Sequence, residues 1–534
     1  MKHTAPFFRP RAGTCQILVA ALTIGLCLGS ITAEADPRRP NIVLILGDDL
    51  AWGDEESMPN LMELVAARGI TFTNAINTAT ICCPSRASIL RGQYVENHQT
   101  YWNSPPNGGV PKFFGDRRHE STFATWLDDA GYFTGIVGKV LNHHIQPEYG
   151  VPPGWDYATL SDNAHEGYDY SLLLTDGTMV PYGSVPEDFL NDVLTQKAVE
   201  FLEQAKLQDE PFMLYVAPSP PHSPHVAAPR HVGLNKDAKL PRSPSYNEPD
   251  RSDKPWLLRN LPPLTDGEVQ WLETQYRRRL DTLATLDEMV KTLVETLERT
   301  KQLDKTYVFF ASDNGFHIAG EHGMLAGKNT AYWEDLLAPV YVRGPGIPEG
   351  VVSHALVANI DLAPTFAAIA KAKLPDFVDG RSILPLLLNP GAPWSRQTVR
   401  LERYFQEDQT LRQARAAGIP DEDVERAARY DGLFTGVLTY VEYPGTGEAE
   451  LYDVRADPHQ LANVIPGADP EQIEDPRLAD FVSALSTRVA ELRDCAGDGC
   501  RRLEDLPAPE PQPQVTANRR TPAEATEGVT LVSD

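Results

Sequence analysis

Several things are scarce in this chain of 534 residues, and each scarcity removes a class of answer. Apart from one N-terminal stretch, no apolar run approaches the roughly 20 residues that a membrane-spanning helix needs, which excludes a polytopic membrane protein. Cysteines number six, too few for a disulfide-built scaffold of this length. Basic residues are in the minority, 48 Lys and Arg against 74 Asp and Glu, for a formal net charge of −26. Nucleic-acid binding needs a cationic footprint, so that class is set aside. The same balance weighs against a long polyanionic polymer as substrate, although a local basic pocket can override net charge. Internal repeats are absent, as is any fibrous or coiled pattern. What remains is an ordinary soluble composition, 42% apolar and 23% charged, long enough for a large catalytic domain and a smaller second one.

The N-terminal stretch reads as a signal peptide over residues 1–35. Lys2, Arg9 and Arg11 make a basic start, Ile17 to Leu28 is nearly all apolar, and Ala33-Glu34-Ala35 offers a small-x-small cleavage site. The apolar run is too short for stable membrane insertion, and Cys27 lacks a convincing lipobox, so an exported protein, periplasmic or extracellular, is expected. Cys15 and Cys27 leave with that segment. Cys495 and Cys500 enclose Ala-Gly-Asp-Gly and are expected to form a local disulfide in an exported chain. Cys82 and Cys83 are adjacent, a poor geometry for a disulfide, and require another explanation.

Continuous apolar runs of strand length recur at Asn41–Leu46, Thr134–Val137, Phe212–Val216, Thr306–Ala311 and Val340–Val342. Helical patterns lie between them, the longest from Asp266 to about Arg299. The alternation predicts an α/β fold over residues 36–395, with a large, mainly parallel sheet between helix layers and a site at the carboxyl ends of its strands. From about residue 396 the texture changes. Thr398–Phe405, Gly436–Tyr443 and Glu450–Asp453 read as short strands and Arg477–Arg493 as a closing helix, predicting a small antiparallel sheet plus helix over 396–505. Within it, the charged, Ala-rich stretch Glu407–Arg429 reads as a helical insertion on the surface, and the Pro- and Glu-rich tail 506–534 as disordered.

Polar clusters follow the strand-like runs. Asp48-Asp49 ends the first, and Ser312-Asp313-Asn314-Gly315 ends a later one. Strand-end Asp pairs often serve only as turns or caps. Two such clusters at strand ends of one predicted sheet favour a cation site instead, with Asp48, Asp49, Asp313 and Asn314 as hard oxygen ligands suited to Ca²⁺ or Mg²⁺ rather than zinc.

The third cluster is Cys82-Cys83-Pro84-Ser85-Arg86. Its Cys-x-Pro-Ser-Arg pattern resembles the hallmark of the sulfatases, within the alkaline phosphatase superfamily. The resemblance spans roughly residues 38 to 505, because Gly138-Lys139, Pro221-His222-Ser223-Pro224, Gly320-Glu321-His322-Gly323 and Lys328 fall in the family's order. It implies the family's mixed, mainly parallel sheet and one divalent cation, Ca²⁺ before Mg²⁺, which Cys82 would also ligate. It implies that a formylglycine-generating enzyme oxidises Cys82 to formylglycine. The hydrated aldehyde has one hydroxyl to attack sulfur and a second to release the product. Arg86 lies one helical turn from Cys82, and Pro84 suits the first turn of a helix whose amino end faces an anion. By the same resemblance Lys139, His222 and Lys328 surround a small sulfated substrate, His222 as a candidate acid for the leaving alcohol, with Glu321 and His322 at the pocket rim.

Two positions depart from the pattern. Many sulfatases carry histidine two residues after the Gly-Lys lysine, where this chain has Leu141 followed by Asn142, His143 and His144. That leaves the final base unassigned. Arg91-Gly92 stands where the family usually has Thr-Gly. Gly138 to Asn142, Pro152-Pro153-Gly154-Trp155, Arg343-Gly344-Pro345-Gly346 and the Cys495/Cys500 loop resemble the N-acetylglucosamine-6-sulfatase branch, which implies a sulfated sugar. The insertion and the acidic charge point instead toward an aryl or simple alkyl sulfate. The alternatives are a phosphonate or phosphate ester hydrolase of the same superfamily, and a secreted binding protein that has lost catalysis.

Overall fold

The computed structural model describes residues 39–509, apart from 145–147, 163, 339, 405–406 and 467–472. The expected signal peptide and nearly all of the expected tail lie outside the described residues.

The centre is made by strands with no polar face. In β1 (Asn41–Gly47) every residue is buried, and Ile42, Leu44 and Leu46 point to one side of the sheet while Val43 and Ile45 point to the other. This two-residue alternation splits one apolar run between two cores. One face packs on the helices Leu190–Ala205 and Asp266–Arg299, through Leu194, Phe201, Leu283, Leu286 and Val290. The other packs on Cys82–Arg91, Phe123–Asp129 and Leu362–Ala370, through Ala87, Leu127 and Phe366. The 34-residue helix Asp266–Arg299 starts at a capping box in which Thr265 and Glu268 exchange side-chain and backbone bonds.

The remaining strands of this sheet are β2 (Ile70–Ile76), β3 (Phe133–Lys139), β4 (Tyr157–Ser161), β5 (Tyr170–Leu174), β6 (Met179–Tyr182), β7 (Phe212–Ala217), β8 (Thr306–Ser312), β9 (Val340–Arg343) and β10 (Val351–Ala358). Their order is β10-β2-β9-β8-β1-β7-β3-β4-β5-β6, with β8, β1, β7, β3 and β4 mutually parallel. The sheet is mixed, as the resemblance implies. β9 runs antiparallel to both β8 and β2. Between β8 and β9 the only helix among the described residues is the four-residue turn Trp333–Leu336, in place of the long crossover helix that usually joins parallel partners.

A second, antiparallel sheet has the order β11 (Val399–Arg403), β12 (Tyr430–Phe434), β13 (Leu438–Tyr443) and β14 (Glu448–Asp453), and the helix Pro476–Arg493 packs on it. Cys495 and Cys500 form the expected disulfide, with their Cα atoms 5.0 Å apart. β12 is the strand the sequence hid. It carries Asp431 and Gly432, poor strand residues, but Asp431 is buried against Arg400 of β11 at 3.0 Å, and any side chain at 432 would run into the Tyr440 carbonyl.

The stretch Glu407–Arg429 is not a surface appendage. It forms two short helices, Gln409–Ala416 and Asp421–Ala427, whose Leu411, Ala414, Val424 and Ala427 are buried with Leu257, Leu258, Met324, Tyr332 and Tyr452. Its charge occupies only the outer face, as in any amphipathic helix. Replacing Leu411 with Ala should therefore cost about 2–4 kcal/mol of stability, against less than about 0.5 kcal/mol for Ala at exposed Arg412. Denaturant melts of the two variants would check this, and equal melts would return the segment to the surface. No helix among the described residues is long and apolar enough to cross a membrane.

Candidate active site

Four neighbouring parallel strands, β8, β1, β7 and β3, deliver their carboxyl ends to one edge of the sheet, where an α/β sheet binds ligands. β1 ends in Asp48-Asp49, β3 in Lys139, β8 leads into Asp313-Asn314, and the loop after β7 carries His222. The helix Cys82–Arg91 brings Cys82 at its amino end and Arg86 one turn in. Asp48, Asp49, Cys82, Arg86, Lys139, Asp313 and Asn314 are all buried, Lys328 nearly so, and His222 half-buried.

Asp48 Oδ2 accepts from Lys139 Nζ at 2.7 Å and lies 3.4 Å from Arg86 Nη2, while its Oδ1 lies 3.6 Å from Cys82 Sγ. Asp313 Oδ2 accepts from Arg86 Nε at 2.7 Å, and its Oδ1 accepts from the Asp49 amide at 3.1 Å. Asp49 has φ 71°, a left-handed conformation that Asp tolerates better than most residues. Its Oδ1 accepts from Asn314 Nδ2 at 2.9 Å and from Lys328 Nζ, and its Oδ2 is 3.6 Å from His222 Nε2. Lys328 Nζ also reaches Cys82 Sγ at 2.7 Å. The potential ligand atoms of Asp48, Asp49, Cys82 and His222 lie within 4.8 Å of one another.

The electrostatics follow from this packing. Burial would raise the Asp48 and Asp49 carboxyls, but Lys139 and Arg86 hold Asp48 well below the usual range, and Lys328 with His222 holds Asp49 at about 2. Asp313 goes the other way, raised by burial and by the Asp48 charge. Burial pushes the Cys82 thiol up to about 12 despite Lys139 and Lys328. An unmodified Cys82 is therefore a protonated thiol near neutral pH and a poor nucleophile.

The other expected positions fall elsewhere. Leu141 packs in the core, and the Asn142 carbonyl accepts from Val110 N at 2.9 Å. His143 Nε2 pairs with Ser104 Oγ at 3.1 Å, and the buried His144 donates from Nε2 to the Gly150 carbonyl at 2.9 Å. The hydrogen bonds of His143 and His144 thus run to Ser104 and Gly150 rather than to the cluster. Glu321 and His322 are not at a rim. Glu321 folds back on the Ala319 amide, while His322 is buried with Nδ1 2.7 Å from Glu248 and its ring on Tyr332. Arg91 turns away from the site, donating to Gln93, Arg118 and Ser121, and so ties its helix to the loop beyond.

Two residues beside the cluster carry no motif signal. Arg279, midway along the long helix, is buried and donates to Asp54 and to the Asp49 carbonyl, fixing the backbone of the strand end. His165, in the loop after β4, lies face to face with His222, ring centroids 3.7 Å apart and planes 11° apart. Burial, then His222 and Lys139, lower its pKa well below that of a free imidazole.

The sulfatase family model matches residues 40–372, and the model for the C-terminal region of N-sulphoglucosamine sulphohydrolase matches 320–493. Human N-acetylglucosamine-6-sulfatase is 32% identical over 514 residues, covering 91% of this chain and 90% of that one. Among solved structures, one described in complex with its substrate D-glucosamine-2-N,6-O-disulfate superposes with a TM-score of 0.68 at 23% identity, covering 89% of this chain and 100% of the other. A phosphonate monoester hydrolase from Silicibacter pomeroyi gives 0.65 at 25% identity, covering 85% and 95%. With a family model matching more than half its length and a relative this similar end to end, the chain belongs to the sulfatase family, whose members hydrolyse sulfate esters.

Proposed function

We propose that this enzyme is exported and removes sulfate from a sulfated sugar, with a formylglycine made from Cys82 and one divalent cation, Ca²⁺ before Mg²⁺, at the strand-end carboxylates. The observation that carries the reading is the position of Cys82. It opens a buried helix 2.7 Å from Lys328 Nζ and 3.6 Å from Asp48 Oδ1, with its thiol too basic to act as it stands. A formylglycine-generating enzyme would supply the missing reactivity, and the hydrated aldehyde provides a hydroxyl nucleophile. The Cys495–Cys500 disulfide supports an exported chain.

The donor set fits a hard cation. Asp48, Asp49 and Asp313 offer carboxylate oxygens, and Asn314 Oδ1 is buried with no hydrogen-bond partner among the described residues. A bound dication would act as a Lewis acid and lower the pKa of a coordinated hydroxyl. Three carboxylates face Arg86, Lys139 and Lys328, so the side chains alone are close to neutral. With a dication the pocket carries about two positive charges, which matches an anionic ester. Lys139 and Lys328 then turn their ammonium groups to sulfate oxygens, and Arg86, whose Nη2 makes no hydrogen bond among the described residues and lies 3.4 Å from Asp48 Oδ2, adds a further donor. His222 donates Nδ1–H to the Ser223 carbonyl at 2.5 Å, which leaves Nε2 to work on the ligand. As a hydroxyl oxygen of the Cys82-derived diol, giving up its proton, bonds to sulfur, the S–O bond to the leaving alcohol breaks. Its electron pair goes to the ester oxygen, which takes the Nε2 proton of His222, an imidazolium that the Asp49 carboxylate 3.6 Å away favours.

The likeness to a phosphonate monoester hydrolase supports one competing reading, hydrolysis of phosphonate esters. Both readings are tested by assaying the exported enzyme on N-acetylglucosamine 6-sulfate and on a phenylphosphonate monoester side by side. A higher kcat/KM for the sulfated sugar is expected, and the reverse order would overturn the proposal.

A further inference from the structure

His222 is held on three sides, and on the fourth its Nε2 faces the cluster, 3.6 Å from Asp49 Oδ2. Its backbone N donates to the Ser219 carbonyl at 3.0 Å, its Nδ1 donates to the Ser223 carbonyl, and its own carbonyl accepts from His225 N at 3.1 Å. His225 in turn anchors its ring on the Pro221 carbonyl at 2.7 Å. These bonds fix where the imidazole starts, and the single ring bond at Nδ1 restrains rotation about Cβ–Cγ while leaving the ring a range of tilt. What narrows that range further is the neighbouring ring. His165 lies parallel over His222 at 3.7 Å. Its Nδ1 is 2.7 Å from Ser219 Oγ, so the residue that bonds the His222 backbone also holds the plate against its ring. The His165 loop is itself pinned, since Gly167 N donates to the Ala164 carbonyl at 3.1 Å and Leu190 N to the Gly167 carbonyl at 2.9 Å.

We infer that His165 is a positioning residue for the leaving-group step: its stacked ring fixes the plane of His222 and thereby aims Nε2 at the ester oxygen. The inference rests on the reading of His222 as the proton donor. His165 acts through the ring of His222: among the described residues no hydrogen bond joins it to Asp48, Asp49, Asp313 or Asn314, and its side-chain bond goes to Ser219. A proton donor misplaced by a fraction of an ångström loses much of its advantage, and general acid catalysis is worth roughly 10²- to 10⁴-fold. The advantage matters only when the leaving alcohol is basic, because a phenolate with an electron-withdrawing ring departs without a proton.

The test is a series of sulfate monoesters with leaving groups from nitrophenol to a sugar alcohol, measured on wild type, His165→Ala, His165→Phe, His165→Gln and His222→Ala. His165→Ala should lose roughly 10- to 100-fold in kcat on the sugar sulfate with KM little changed, and less than about threefold on nitrophenyl sulfate. His165→Phe keeps a flat ring and should recover most of the loss, whereas His165→Gln keeps a hydrogen-bonding group without the ring and should not. If His165→Ala slows every substrate alike, or raises KM alone, or if Gln rescues and Phe does not, the stacking role is overturned in favour of a structural or substrate-binding one. A steep leaving-group dependence in His222→Ala with a flat one in His165→Ala would overturn this inference alone. A flat profile in His222→Ala would overturn the proton-donor reading, and this inference with it.

Discussion

Cys82→Ala is expected to abolish turnover of any sulfate ester, by on the order of 10⁴-fold or more, while Cys83→Ala leaves most of it. The two residues are adjacent and both buried, so burial does not separate them; their surroundings do. Cys82 lies beside Asp48 and Lys328 at the mouth of the cluster. Cys83 faces the core beneath the sheet, packed with Ala87 and Leu90, and its amide donates to Asn103 Oδ1 at 2.8 Å. Removing one buried sulfur there costs stability of about a kcal/mol and no chemistry. Mass spectrometry of the peptide spanning both residues supplies the independent readout: Cys82 should appear as aldehyde or hydrate, and Cys83 as an unmodified cysteine. Full activity in Cys82→Ala, or modification found on Cys83, would show that the reacting position had been assigned to the wrong residue.

Much of this arrangement was legible because chemistry and topology coincide along the chain. Asp48-Asp49 and Asp313-Asn314 each follow an unbroken apolar strand, and parallel strands put such ends at one edge. Lys328 and His222 were legible only through short motifs. Nothing in the local pattern shows that Lys328, 16 residues beyond the end of β8, folds back onto Cys82. His165 stayed hidden for a different reason. It sits four residues after β4, a strand whose sequence, Tyr-Ala-Thr-Leu-Ser, lacks the continuous apolar character that marked the others. The rim placing of Glu321 and His322 rests on the motif, which orders residues along the chain without showing what buries them. Glu248, 74 residues earlier in the chain, supplies the partner that lets His322 be fully buried, and a pairing over that distance leaves no periodic trace. The insertion at 407–429 is misplaced by taking charge for exposure, since its charges belong to one face of each helix and Leu411 and Val424 to the other.

Withdrawal of the divalent cation should have the second largest effect, with turnover falling to background in excess chelator and returning on addition of Ca²⁺. The structure also gives a reading that does not depend on activity. Asn314 Oδ1 is buried and has no hydrogen-bond partner among the described residues, and an unmet acceptor of this kind costs about 1–3 kcal/mol until something satisfies it. A ligand that binds only the folded chain stabilises it by about 2.7 kcal/mol at one hundred times its Kd, so Ca²⁺ should raise the melting temperature by a few degrees. Asn314→Leu and Asp49→Asn test the source of that rise. Asn314→Leu removes the orphaned acceptor together with the Nδ2 donor to Asp49, two opposed effects that leave its melt in chelator near wild type, yet it should lose most of the Ca²⁺ response. Asp49→Asn removes one of the three charges that face Lys328, Lys139 and Arg86, and should lose both the response and some metal-free stability, because the Lys328 ammonium is left in a buried site without its carboxylate. If wild type melts identically with Ca²⁺ and with chelator, and retains its activity in chelator, then the three cationic side chains are the permanent counterions of Asp48, Asp49 and Asp313. The cluster would then be a closed ion-pair network rather than a metal centre.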